Sequence, residues 1–429
     1  MNFCLTIILL LLSKTSYHIN NKCILGPSFV MSASMCLSSL IVTINTTYWN
    51  YSVSLETLLI ITLSVISFMI GNTIVNQSKT NYCFNKNINV NNVFFKKTNI
   101  IHVFLLLAFS VVVFIYVFYT QHSRGAAIGM GQDLSSVIQA NRYYLQNESN
   151  ILMKLLLSAV KVLCEITIIR YFVFKNMYKK KTSSLFLIIM LVVTLLNFMM
   201  TTNRTEIISI SSFVLFSLLY SKYIHYKWSK EALNIKIILK IILILFVALL
   251  IFRLLGYLTG KSDLYTFYDN ICIYIGSSIV CFDKVITGNN IAFPYGYVPQ
   301  IFGGYTIFLN MLGFNVEIDN LVWPHQYWDN GASNLYTSFF IYYVNYNVLG
   351  LLIIECFLGM IYGYIWKKVY LNRFSWVGVT IYGSILFYYL AMTPIYERFF
   401  THFFTVTTLL EIIFMYIYLN QCTVLISDK

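Results

Sequence analysis

Long apolar runs recur along the whole chain, separated by short polar segments, and they limit the fold more than any other feature. Of the 429 residues, 58% are hydrophobic and only 10% are charged, whereas soluble domains carry about 25% charged residues. Apolar runs of this length cross the roughly 30 Å hydrocarbon core of a bilayer as helices. The sequence therefore predicts an all-α polytopic membrane protein, organised as a single membrane domain over residues 1–429.

Ten runs are long enough to be transmembrane helices. An eleventh candidate, residues 2–13, is shorter and is predicted as a first, tilted or kinked span. We therefore expect about 11 spans, within a range of 10 to 12. The ten longer runs are residues 24–45, 56–76, 99–121, 151–174, 185–201, 206–221, 235–257, 345–366, 375–393 and 403–420.

The lysines predict the orientation. They cluster in alternate loops, for example at residues 179–181 and at Lys367 and Lys368. By the positive-inside rule these loops and the C-terminus are cytoplasmic. The net charge of +13 thus follows from membrane topology, and no nucleic-acid partner is expected.

The loops on the opposite side are predicted to be periplasmic. They are residues 122–150, 201–206, 393–402 and the much longer segment 258–344. This last segment contains a Gly-Gly pair, three prolines and an aromatic-rich stretch, which predicts an ordered large loop of short helices and turns.

Arginine has a distribution opposite to that of lysine. Only seven residues are Arg, and five lie on or near the predicted outer face: Arg124, Arg142, Arg204, Arg253 and Arg398. Arginine binds phosphate with two parallel hydrogen bonds, so the pattern suggests an anionic ligand, with Arg204 in its tight turn beside Glu206 as the strongest candidate. The alternative is that each Arg pairs with a nearby acid or extends to lipid headgroups.

The stretch WPHQYWDNGASNLYTSF within the long loop has the composition of a sugar site. Aromatic faces stack on sugars, while amides and carboxylates hydrogen-bond to hydroxyl groups. The alternative is that its tryptophans belong to an interfacial aromatic belt. No metal-ligand spacing occurs, so neither a metal nor a cofactor is expected. The candidate sugar-binding residues are Trp328, Asp329, Asn334 and Tyr336.

Three features together resemble the bacterial O-antigen or oligosaccharide repeat-unit polymerases (Wzy). They are the number of spans, the TTNRTEII turn that enters a span, and a late outer loop followed by NLYTSFFIYYVNYNVLGLLIIECFLG. The resemblance implies a GT-C-like glycosyltransferase of the inner membrane, active on the periplasmic side in lipopolysaccharide biosynthesis. Its substrates would be oligosaccharides on undecaprenyl diphosphate, and a chain-length regulator protein is an expected partner.

For such a reaction, Arg124, Arg142, Arg204 and Arg398 are expected to bind the diphosphate leaving group without a metal. The acceptor hydroxyl needs a general base. His325 is the first candidate, followed by Glu206, Asp329 and Glu397, and the predicted catalytic set is His325, Arg204 and Glu206.

Other functions remain open at this point. An O-antigen ligase would share the architecture and use lipid A core as the acceptor. A lipid-linked oligosaccharide flippase is the alternative without enzymatic activity, and transporters of that kind place charges at the membrane midplane. A glycosyltransferase that uses a polyprenyl monophosphate sugar would be expected to carry an acidic pair in its first outer loop.

Overall fold

The computed structural model describes residues 1–77, 93–95, 100–127, 151–178, 184–201, 204–258, 266–288, 303–314, 325–371 and 375–425. The chain forms two compact units. The first comprises Met1–Ile88, Tyr268–Arg373 and Ile385–Val406, and the second comprises Asn89–Phe267, Phe374–Ser384 and Thr407–Lys429.

The described residues are almost entirely helical. In chain order, the helices are α1 (Asn2–Ile19), α2 (Pro27–Ile44), α3 (Leu55–Gln77), α4 (Ile100–Ala127), α5 (Ile151–Asn176), α6 (Ser184–Met200), α7 (Arg204–His225), α8 (Ile235–Leu258), α9 (Phe267–Ile286), α10 (Gly303–Met311), α11 (Ser338–Tyr370), α12 (Trp376–Ile381), α13 (Phe387–Ala391), α14 (Phe399–His402) and α15 (Val406–Cys422). A 3₁₀ turn covers Lys230–Ala232, and a π-helical turn, Tyr382–Leu386, joins α12 to α13.

Two short antiparallel strand pairs complete the described structure. Strand β1 (Val93–Phe95) pairs with β4 (Thr423–Leu425), with Phe94 opposite Val424. Strands β2 (Gln326–Trp328) and β3 (Gly331–Ser333) form a hairpin in which Tyr327 lies opposite Ala332. Its turn residue Asn330 has φ 57°, a conformation that Asn adopts more readily than most residues.

Seven of the described helices are long and apolar enough to cross a membrane, namely α1, α2, α3, α4, α7, α8 and α11. Three shorter apolar helical segments are Ser184–Met200, Trp376–Ala391 and Val406–Gln421. Many large apolar side chains of the long helices are exposed, for example Phe104 on α4 at 65% and Leu349 on α11 at 72%. Such exposure is expected for surfaces that face lipid. The predicted helical, multi-span membrane protein is thereby confirmed.

In the first unit, α3 and α11 pack closely and run in the same direction. Ser67 donates a hydrogen bond to the carbonyl of Leu352 (2.6 Å), and Lys367 donates to that of Val75 (3.0 Å). A Cβ atom on Gly359 would lie 2.1 Å from the carbonyl oxygen of Phe68, so only glycine permits this approach. The parallel arrangement puts the C-terminal ends of both helices on one side of this unit.

Helix α11 is interrupted at Asn347, which has φ 56° and ψ −171°. Ser338 and Tyr362 would lie about 36 Å apart on a straight helix, yet both line one cavity. The helix therefore folds back at Asn347, so that residues before and after the break face each other. The span predicted at 345–366 thus begins at this break, while the helical residues 338–346 precede it.

The predicted loop 258–344 contains α9, α10 and the β2–β3 hairpin among its described residues. Helix α9 is fixed to the turn that precedes α3, because Asp283 accepts hydrogen bonds from Tyr51 (2.5 Å) and from the backbone and hydroxyl of Ser54 (2.8 and 2.6 Å). Burial and this carboxylate raise the pKa of Tyr51.

In the second unit, α5 packs mainly against α7 and α6. Aromatic contacts join α7 to the π-helical turn, where a Cβ atom on Gly383 would lie 2.1 Å from the Phe216 ring. Helix α5 is 26 residues long, but it carries five charged residues: Lys154, Lys161, Glu165, Arg170 and Lys175. Charges inside a span are costly and usually functional.

Candidate functional site

The turn between α13 and α14 places a buried carboxylate at the start of a helix. Glu397 accepts hydrogen bonds from the backbone N–H groups of Phe400 (2.8 Å) and Thr401 (3.0 Å). It also accepts one from the Tyr342 hydroxyl (3.0 Å). These donors hold the carboxylate in one orientation although the residue is only 2% exposed. The local sequence favours this arrangement, because an acceptor side chain ahead of a helix satisfies otherwise unpaired N–H groups.

Arg398, a predicted phosphate ligand, follows directly in this turn. Its Nη1 lies 2.5 Å from Nε2 of His402, and its guanidinium lies over the Tyr396 ring at 5.1 Å. Since Arg is always protonated, it donates and His402 Nε2 accepts. Nδ1 of this neutral His402 then donates to the Thr401 hydroxyl (2.8 Å), which in turn donates to the Glu397 carbonyl (2.6 Å).

The Arg398 guanidinium retains unused donor capacity. Its Nε is buried and has no hydrogen-bond partner among the described residues. A buried donor without a partner costs about 1–3 kcal/mol, and binding an acceptor such as a phosphate oxygen relieves that cost. The arrangement is therefore suited to an anionic group.

Glu355 is a second buried carboxylate beside this turn, and sequence reasoning did not single it out. It lies on α11 beyond the break at Asn347 and is 2% exposed. In the described part of the chain, no hydrogen bond or ion pair is found for its side chain. Its side chain lines a cavity shared with Arg398, so a substrate hydroxyl group that enters this cavity can reach it, as a general base requires.

Tyr342, Glu355, Glu397 and Arg398 line one cavity, which we call the arginine cavity. It encloses about 30 Å³, room for a water molecule or two but not for a sugar in this conformation. Phe68, near the middle of α3, also lines it. The turn that carries Glu397 and Arg398 therefore lies beside the middle of α3.

The predicted sugar residues lie on and after the β2–β3 hairpin. Trp328 packs on Trp49 with ring centroids 5.7 Å apart, and Asp329 accepts a hydrogen bond from Asn50 (3.0 Å). Asn334 is exposed. Tyr336 is 1% exposed and stacks on Phe340 at 4.3 Å, and burial raises its pKa to about 12. These contacts leave Asp329 and Asn334 more accessible than Trp328 and Tyr336.

His325, the first predicted base, is exposed at the start of the hairpin. Its ring lies 6.3 Å from that of Tyr327, and it does not line the arginine cavity. Within the described residues of the first unit, Glu355 and Glu397 therefore flank Arg398 and His325 does not.

No protein-family model, curated protein or solved structure matches this chain.

Glu206, predicted to be catalytic, is part of a second charged group in the second unit. Its Oε2 lies 2.7 Å from Nζ of Lys161. Lys161 also donates to both carboxylate oxygens of Glu411, at 2.9 and 3.0 Å. Glu165 lies one turn beyond Lys161 on α5. We call these four residues the lysine cluster.

Three of the predicted phosphate ligands lie partly or wholly outside the described residues. Arg204 begins α7, two residues before Glu206, and Arg124 lies near the end of α4, but the side chains of both are outside the described part. Arg142 lies outside it altogether.

Sequence reasoning assigned no role to Lys161, Glu165, Glu355 or Glu411. A signal was present, because each is a charged residue inside a predicted span, and such residues usually face partners or a pathway. Their partners come from helices distant in sequence, so the spacing along the chain does not reveal them.

Proposed function

We propose that this protein polymerises oligosaccharide repeat units linked to undecaprenyl diphosphate, in the manner of the Wzy polymerases that its sequence resembles. The observation that carries the proposal is the arginine cavity, where a guanidinium with an unpartnered Nε lies among two carboxylates and a tyrosine. Arg398 would bind the diphosphate, and Glu355 would act as the general base.

The proposed step is a glycosyl transfer. The acceptor hydroxyl oxygen attacks the anomeric carbon while the bond from that carbon to the diphosphate oxygen breaks. The bonding electrons leave with the diphosphate, and the hydroxyl proton passes to Glu355. Arg398 stabilises the negative charge that develops on the leaving group, and such a contact typically contributes about 3 kcal/mol.

We also propose that the protein has about 11 spans in a GT-C-like arrangement in the bacterial inner membrane. Its active site would open to the periplasm. Lys367 and Lys368 lie near the C-terminal ends of α3 and α11, and the β2–β3 hairpin lies near the N-terminal end of α3; this arrangement supports the proposed orientation. Asp329 and Asn334 are accessible for sugar contacts. Because the cavity accepts only water as it stands, substrate binding requires the cavity to widen.

A gene deletion in the source strain tests this proposal. If the polymerase proposal is correct, surface polysaccharide will be reduced to lipid A core with a single repeat unit, and wild-type protein will restore the polymer. Bare core with polymer still on its lipid carrier would instead identify a ligase. In vitro, purified protein should lengthen the lipid-linked repeat units extracted from the deletion strain.

A lipid-linked oligosaccharide flippase is the second candidate, and one feature of the structure favours it. The charged groups of the arginine cavity lie beside the middle of α3, next to the break in α11, and transporters often bind substrates at interrupted helices near the membrane midplane. Bare core with unextended precursor retained inside the cell would support this function and contradict polymerisation.

A further inference from the structure

Glu165 is a buried carboxylate for which the structure provides no hydrogen-bond donor. The residue is 0% exposed, and within the described part of the chain both of its carboxylate oxygens are buried without a hydrogen-bond partner. An ionised carboxylate in that situation is strongly disfavoured, because neither water nor a donor compensates its charge.

The cation nearest to Glu165 is already engaged. Lys161, one helical turn earlier, donates to both oxygens of Glu411 and contacts Glu206. The two negative charges of these carboxylates already exceed the single positive charge of the ammonium. The Glu206 side chain is 23% exposed, although its Oε2 is buried, whereas Glu165 has no access to solvent.

The charged groups that act on Glu165 come from three helices. They are Lys161 on its own helix α5, Glu206 on α7 and Glu411 on α15. Among the described parts of α4, α6 and α12, which also pack on α5, no further charged side chain acts on it. Among the described residues, three carboxylates thus act on one ammonium, and a proton on Glu165 reduces this excess of negative charge.

We propose that the lysine cluster is a proton-binding site, in which Glu165 holds a proton at neutral pH while Lys161 stays paired with Glu411 and Glu206. This proposal does not depend on the polymerase or the flippase function.

A proton suits this site better than a metal ion. In the part of the chain that the structure describes, no three carboxylate, imidazole or thiol groups converge with metal-site geometry. Glu165 also has no exposed surface through which a hydrated ion would be accommodated. A proton needs neither space nor several oxygen ligands.

Infrared difference spectroscopy of the purified full-length protein in lipid nanodiscs tests the proposal. Protonated carboxyl groups have a C=O band that ionised carboxylates lack. We expect Glu165→Gln to remove one such band from the neutral-pH spectrum, while Glu231→Gln, an exposed control in the same unit, leaves it unchanged. Addition of sodium chloride should have no effect on the band.

If Glu165→Gln does not fold, Glu165→Asp provides the second test, because the band should then shift in frequency and not disappear. Identical carboxyl bands in the wild type and the folded Glu165 variant would overturn the proposal. So would a band that sodium ions diminish, since that result identifies a sodium site in place of a proton site.

Discussion

The Lys161 ammonium on α5 binds both carboxylate oxygens of Glu411 on α15, at 2.9 and 3.0 Å, across 250 residues of sequence. Both side chains are largely buried, at 7% and 8% exposure. A two-oxygen contact in a poorly solvated environment fixes the relative position of the two helices. The last helix of the chain is thereby held against α5 within the second unit.

We predict that Lys161→Met strongly destabilises the protein, by about 3–5 kcal/mol, because it leaves Glu411 buried without its counter-charge. Lys161→Met combined with Glu411→Gln should recover much of this loss. Thermal unfolding of the detergent-purified variants measures the effect, with Lys154→Met on the same helix as a control. Equal destabilisation by the single and double variants would contradict this account of the pair.

Substitutions of Arg398 test whether its positive charge is sufficient or its planar guanidinium group is required. We predict that Arg398→Ala lowers the polymerisation rate about 10²-fold or more. Arg398→Lys should recover little, because lysine lacks the planar fork that contacts His402 and a phosphate together. The polymerisation rate with extracted lipid-linked repeat units is the measurement. The matched control is Arg253→Lys, which conserves the charge of an arginine outside the cavity. Full activity of Arg398→Lys would show that a point charge suffices.

Glu355 and His325 are competing candidates for the general base. If Glu355 accepts the proton, Glu355→Gln should lower the rate by about 10²–10⁴-fold while substrate binding is retained. His325→Ala should then have little effect. The opposite pattern would assign the base to His325 and exclude Glu355 from that role.

Much of the helical architecture was predictable, because hydrophobic run length alone specifies a span. The run at 56–76, for example, corresponds closely to α3 (Leu55–Gln77). The break in α11 was not predictable in the same way. Residues 338–344 were assigned to the long loop, where short helices were expected, but the helix that they begin continues past the predicted start of the span to Asn347. The φ of a single asparagine leaves no trace in hydropathy.

The candidate site was predictable only in part. Arg398 was identified from its place in a short turn, and it lies in the arginine cavity. Glu355 was not identified, because the fold at Asn347 brings it next to that turn. Glu206 was identified as a candidate general base, but its contact with Lys161 depends on the packing of α5 against α7. Tertiary contacts of this kind cannot be derived from one sequence without knowing which helices are neighbours.

The break at Asn347 leads to a final prediction. Its φ of 56° and ψ of −171° lie in a region that glycine adopts readily, that strains asparagine and that is still less accessible to a β-branched residue. Asn347→Gly should therefore retain stability and activity. Asn347→Val should lose about 1–3 kcal/mol of stability or straighten the helix, which would separate Tyr342 from Glu355 and abolish activity.

Thermal unfolding and polymerisation assays on the two Asn347 variants distinguish these effects. Asn345→Val, two residues earlier in the same helix, is the matched control because its backbone is helical. Wild-type stability and activity of Asn347→Val would mean that the break is not required. Such a result would contradict the folded-back arrangement of α11 on which the proposed chemistry of the arginine cavity depends.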